Sequence, residues 1–105
     1  FPDTDHYNLR YGAQHLAATK IIFSNGGEDP WQHASVLKTD NPDIFPVYID
    51  CDNCAHCIDL RGDTDQDPEE LTTKRKWIKD KIKEWIDEEM QGEKTYPSKA
   101  QASLR

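Results

Sequence analysis

At 105 residues the chain is long enough for one small domain, but 35% hydrophobic against 31% charged residues makes a sizeable independent core unexpected. A net charge of −7 argues against a nucleic-acid partner, which needs clustered and uncompensated Lys and Arg. No apolar run approaches the roughly 20 residues that cross a bilayer, so no membrane partner is expected either.

The chain starts at Phe1 without a charged-then-apolar leader, so it is expected to be a processed product or a fragment of a longer protein, with any targeting peptide upstream. Phe1 to Leu9 carries Pro2 and several turn formers without periodicity and is read as a loop. The helix formers between Arg10 and Ala18 predict a short helix. The run Lys20-Ile21-Ile22-Phe23 is then continuous rather than alternating, as in a strand of a parallel sheet covered on both faces.

Asn25-Gly26-Gly27 ends that strand, and Asp29-Pro30 can start a helix, the carboxylate capping free N–H groups and Pro preset for the first helical position. A second strand spans Phe45 to Ile49 between Asn41-Pro42-Asp43 and Asp50. Strand, crossover helix and strand make a βαβ unit. Two parallel strands need further strands and covering helices, which must come from upstream sequence or another chain.

The clearest helix is predicted from Pro68 to Gln91, with Asp67 as N-cap, Glu69 and Glu70 in the first turn and Gly92 as the stop. Leu71, Ile78, Ile82, Trp85, Ile86 and Met90 share one face, and burying four of them would contribute about 6–12 kcal/mol before entropy. Lys74, Lys76, Lys79, Asp80, Lys83, Glu84 and Asp87 on the other face mix both signs and read as solvated. The expected division is a folded segment at 1–92 and a flexible tail at 93–105.

Two groups carry candidate chemistry. Asp29 alone reads more readily as a helix cap, and His56 alone as a surface histidine. A parallel βαβ unit, however, sets the carboxyl ends of its strands side by side, where open α/β sheets build their sites. A carboxylate there can accept the Nδ1–H of an imidazole, fix its tautomer and stabilise the imidazolium formed when Nε2 takes a proton from a serine. The order Asp then His also follows an α/β-hydrolase, in which the nucleophile comes first. None of Ser24, Ser35, Ser98 and Ser103 lies in the required Gly-x-Ser-x-Gly turn, so the serine is expected upstream of Phe1 and the isolated chain is expected to be inert.

Cys51, Cys54 and Cys57 are an odd number, leaving at least one without a partner inside the chain; in an oxidising compartment one is expected to bridge to a segment outside it. Their spacing around His56 also allows a zinc site, although the second ligand pair usual for a structural site is not visible. A non-catalytic module, metal-binding through these cysteines or a degenerate hydrolase segment kept for binding, is therefore the alternative.

Phe23-Ser24-Asn25-Gly26-Gly27-Glu28-Asp29-Pro30-Trp31, followed by Ala55-His56-Cys57-Ile58-Asp59-Leu60, resembles the C-terminal part of the serine carboxypeptidases that include lysosomal Pro-X carboxypeptidase, dipeptidyl peptidase II and thymus-specific serine protease. The resemblance extends from about Asn8-Leu9-Arg10-Tyr11-Gly12 to Trp85-Ile86. It implies the C-terminal part of an α/β-hydrolase fold, with Asp29 as triad acid and His56 as triad base. Asn25, Gly26, Pro30 and Trp31 would shape the acid's turn, and Asp59 and Leu60 would hold the loop after the base.

The same resemblance implies a serine-type exopeptidase, often acting beside proline in acidic vesicles or after secretion, with no cofactor or metal. Its partners would be peptide substrates and the remainder of the parent chain, a homodimer being left open. The sequence departs from the family at Ala13, Glu28, Cys54 and Cys57; Glu28 stands where an apolar residue is frequent.

Overall fold

The computed structural model describes residues 2–95, with side chains described through residue 92. It divides into two compact units, Phe1–Arg75 and Lys76–Arg105. The first unit is built on two parallel strands, β1 (Ile21–Gly26) and β2 (Ile44–Ile49), paired from Ile21↔Ile44 to Gly26↔Ile49. Both predicted strands are present, each slightly longer than the sequence suggested. Pro46, which has no N–H to give, fits a strand of so small a sheet.

The core of this unit is small. Ile44, Val47 and Ile49 of β2 are buried together with Cys54 and Leu71, whereas Ile21, Ile22 and Phe23 are half-buried. The double-sided cover expected of β1 is thus incomplete among the described residues.

The crossover contains no α-helix, contrary to the sequence reading. Asp29 does act as an N-cap and Pro30 follows it, but the helix they open is a 3₁₀ segment, Pro30–Ala34, ended by Ser35 in extended conformation. Ser35 and Val36 are poor helix formers at the point where a second turn would begin. The rest of the connection is tied to the segment before β1 by polar contacts: Asn41 Nδ2 donates to the carbonyls of Leu16 and Ala18 at 2.9 and 2.8 Å, and Thr39 Oγ1 donates to that of Gln14 at 2.9 Å.

The N-terminal reading also needs correction. A helix, α1 (Thr4–Tyr11), occupies most of the expected loop, and the helix expected over Arg10–Ala18 is reduced to a 3₁₀ turn at Ala13–His15. Asp3 caps the start of α1 by accepting the His6 N–H at 2.9 Å, and Gly12 ends it at φ 93° with its N–H on the Asn8 carbonyl. Of the turn formers in the segment read as loop, Asp3 is the helix cap.

A long helix, α2 (Glu69–Thr95), closes the described chain. Gly92 does not stop it, and of the tail expected from residue 93 the first three residues continue the helix while 96–105 lie outside the described residues. Asp67 accepts from the Thr64 N–H and hydroxyl and from Arg75, so its carboxylate organises the approach to the helix. Those bonds, the two from Thr64 foremost, hold its pKa below the ordinary carboxylate value.

Leu71 and Arg75, in the first turns of α2, belong to the first unit and are buried. In the second unit Ile82, Ile86 and Met90 are exposed and Ile78 and Trp85 half-buried, so the stripe expected to be buried is largely open. Its charged face carries intrahelical pairs, including Lys83–Asp87 at 2.7 Å and Lys81–Glu84 at 3.2 Å, as a solvated face should. No helix among the described residues is long and apolar enough to cross a membrane.

Candidate active site

The parallel pairing sets Gly26 beside Ile49 at the carboxyl ends of the two strands, and the chain leaves both ends into loops on the same edge. After β1, Gly27 donates its N–H to the Ile49 carbonyl at 2.9 Å and Glu28 to the Cys54 carbonyl at 3.0 Å. After β2, residues 50–55 turn back over that edge, and a Cβ on Gly26 would lie 2.3 Å from the Cys54 oxygen and 2.6 Å from the Ala55 oxygen. Only glycine allows so close an approach.

These contacts bring the two candidate residues together across 27 positions: Nδ1 of His56 lies 2.8 Å from Oδ2 of Asp29. Oδ1 of Asp29 accepts the Trp31 N–H at 2.9 Å, so one carboxylate both caps the 3₁₀ turn and meets the imidazole. The cap reading and the pair reading of Asp29 therefore hold together. Asp29 is 5% exposed, whereas the His56 side chain is 64% exposed.

The bond from His56 is the largest influence on Asp29 and holds its carboxyl below the ordinary carboxylate range; burial opposes this and the Trp31 N–H adds to it. An ionised carboxylate only accepts, so Nδ1 of His56 is the nitrogen that carries the proton toward Asp29, and Nε2 is the ring nitrogen left facing away from it. The arrangement sets an exposed imidazole against a buried carboxylate.

Around this pair the loop after His56 is fixed from two sides. Ser24 Oγ donates to Asp59 Oδ2 at 2.9 Å, and the buried guanidinium of Arg75 donates to the Ile58 carbonyl at 3.0 Å and to Asp63 at 3.1 Å. Of the residues expected to hold this loop, Asp59 does so and Leu60 is exposed. Sequence reasoning did not find Arg75, which lay unremarked in the helix pattern, or the pairing of Ser24 with Asp59 across 35 residues.

Cys51 and Cys54 are bonded to each other and Cys57 is free and exposed, so the crosslink lies within the loop that carries His56. A disulfide offers no thiolates, and among the described residues no group of His, Cys, Asp and Glu is placed to hold a metal ion.

Comparison with known proteins agrees with the likeness seen in the residues. The chain is 54% identical over 63 residues to the probable serine protease EDA2 of Arabidopsis thaliana, covering 59% of this chain and 12% of that protein. It is 35% identical over 77 residues to lysosomal Pro-X carboxypeptidase of Bos taurus, covering 72% of this chain and 15% of that protein. It is 29% identical over 79 residues to thymus-specific serine protease of Mus musculus, covering 75% and 15%. The chain thus spans less than a sixth of the length of each of these relatives. No solved structure matches it significantly. The family model described as serine carboxypeptidase S28 matches residues 3–78, and the chain belongs to that family.

Proposed function

We propose that this chain is the C-terminal segment of an α/β-hydrolase-fold serine exopeptidase and supplies the acid and base of its Ser-Asp-His triad. The observation that carries the reading is the 2.8 Å contact between a buried, ionised Asp29 and an accessible His56. In the reaction Nε2 of His56 takes the proton of the serine hydroxyl as the oxygen attacks the peptide carbonyl, and Asp29 stabilises the imidazolium. The imidazolium then returns that proton to the departing amine, and the same base activates the water that hydrolyses the acyl-enzyme.

The serine is contributed by sequence preceding Phe1, because in this fold it comes before the acid and the base. The exposed stripe of Ile82, Ile86 and Met90 fits a helix whose apolar face is covered by the remainder of the parent chain. Substrates are peptides cleaved near an end, often beside proline, and a lysosomal or secreted location accords with the relative named as lysosomal.

The test is made in the full-length protein. His56→Ala should lower kcat at least a thousandfold, and Asp29→Asn by about 10⁴ through the wrong tautomer, with a peptide substrate. Activity within a few-fold of wild type in His56→Ala would remove the proposed general base. Peptides blocked at one end or the other should lose cleavage at one block only, which assigns the exopeptidase direction.

A further inference from the structure

Residues 50–55 connect β2 to His56 without regular secondary structure and are mostly exposed, yet their end presents an imidazole to a buried carboxylate at 2.8 Å. Asn53 adopts φ 61°, in the left-handed region that Asn tolerates better than most residues. The Cys51–Cys54 bond and the bonds from Cys54 N to the Cys51 carbonyl and from Ala55 N to the Asn53 carbonyl shape this loop internally. None of those three fixes where the loop sits relative to Asp29. That is set by bonds crossing to the turn after β1.

Glu28, next to Asp29 in the chain, makes two of them. Its N–H donates to the Cys54 carbonyl at 3.0 Å, and its Oε2 accepts the Asn53 N–H at 2.7 Å. The side-chain bond spans 25 residues and joins the same two segments as the Asp29–His56 contact, one residue before the acid and three before the base. An apolar residue at this position could not make it. A carboxylate accepting a backbone N–H is also a stronger tie than a neutral acceptor.

We propose that Glu28 is a positioning residue for His56: by accepting the Asn53 N–H it sets the seat of the disulfide-closed loop, and so the alignment of the imidazole over Asp29. The inference rests on the Asp29–His56 reading given above. Glu28 takes no part in proton transfer and acts only through where the loop lies.

The experiment compares Glu28→Ala, Glu28→Gln and His56→Ala in the full-length protein, with thermal unfolding recorded for each. Glu28→Ala should lower kcat about tenfold with KM within twofold, the loss expected for one charged hydrogen bond. The Nδ1–H proton resonance of His56, shifted downfield by its bond to Asp29, should broaden or weaken in the same variant. Glu28→Gln retains an oxygen acceptor and should recover most of both. Wild-type kcat and an unchanged resonance in Glu28→Ala, with His56→Ala inactive, would overturn the role of Glu28 and leave the catalytic pair standing. A raised KM at unchanged kcat would make Glu28 a substrate contact instead, and an equal loss in Glu28→Gln would show that the acceptor is not what matters. An active His56→Ala would remove the base, and this inference with it.

Discussion

Replacing Gly26 by alanine tests the geometry of the site at its narrowest point. The added Cβ would stand 2.3 Å from the Cys54 oxygen, 2.6 Å from the Ala55 oxygen and 2.9 Å from the Cys54 carbonyl carbon, all of them backbone atoms that no rotamer change can move aside. Ordinary contact begins near 3.4 Å, so the loop must retreat by about 1 Å. Ala55 directly precedes His56, and a retreat of that size carries the imidazole from 2.8 Å to well outside hydrogen-bond range of Asp29. Gly26 does not have a positive φ, so the effect comes from close approach and not from backbone strain.

Two magnitudes follow. Overpacking against rigid backbone costs about 1–3 kcal/mol of stability, and a 1 Å misplacement of a catalytic group costs about 10² in rate. In the full-length protein Gly26→Ala should therefore unfold at a lower urea concentration and lose about a hundredfold in kcat, while a substitution at exposed Gly62, which meets nothing within 4 Å, should do neither. Wild-type kcat in a Gly26→Ala protein of normal stability would refute the claim that the loop's seat on β1 sets the alignment of His56.

Two further outcomes can be measured on the same protein. Because the Asp29 pKa is held low in the folded state, its contribution to stability is complete above the unfolded-state carboxylate pKa near 4, is lost as pH falls through the folded value, and is absent below it. The difference in unfolding free energy between wild type and Asp29→Asn should thus shrink as pH falls below about 4, where the carboxylate takes up its proton; a difference that stays unchanged through that acid range would contradict an Asp29 carboxyl held ionised in the fold. Arg75 is 4% exposed and joins Asp63, Asp67 and the Ile58 carbonyl. Arg75→Ala should cost about 2–4 kcal/mol in urea unfolding, and Arg75→Lys, which keeps the charge but not the fork, an intermediate amount. A cost below about 0.5 kcal/mol would show that Arg75 does not hold the loop after His56.

What the sequence reveals of this fold depends on how local the signal is. Ile21-Ile22-Phe23 and Val47-Tyr48-Ile49 are apolar runs bounded by turn formers, and both are strands. The capped, periodic pattern after Pro68 is a helix, but Gly92 costs an exposed helix only about 1 kcal/mol relative to Ala and α2 runs past it. Asp29-Pro30 announces a helix start correctly and says nothing of its length, which is set by the residues after Ala34. Asp3 and Gly12 were legible as caps only when taken together, since each alone also suits a loop. For the site, parallel topology was enough to place Asp29 and His56 at one edge of the sheet, and the loop contacts then bring them into bonding range. The contacts of Glu28, Ser24 and Arg75 join positions 25, 35 and 17 residues apart through loops without periodicity, and no pattern in one sequence reports them.

Those long-range polar contacts also account for how so small an apolar core can hold a site. Among the described residues the buried hydrophobic ones of the first unit are Ile44, Val47, Ile49, Cys54 and Leu71, and four of the five belong to β2 and the loop after it. They anchor β2 and the base of the loop at Cys54, but none lies on β1 or on the turn that carries Asp29. The Asp29 side is tied instead by hydrogen bonds: Gly27 to Ile49, Glu28 to Cys54 and Asn53, Asp29 to Trp31 and His56, and Ser24 to Asp59. Hydrogen bonds, unlike burial, depend steeply on distance and angle, so the alignment of Asp29 and His56 is fixed more sharply than a loosely packed core could fix it. The same feature makes the pair sensitive to single polar substitutions that would leave the strands themselves intact.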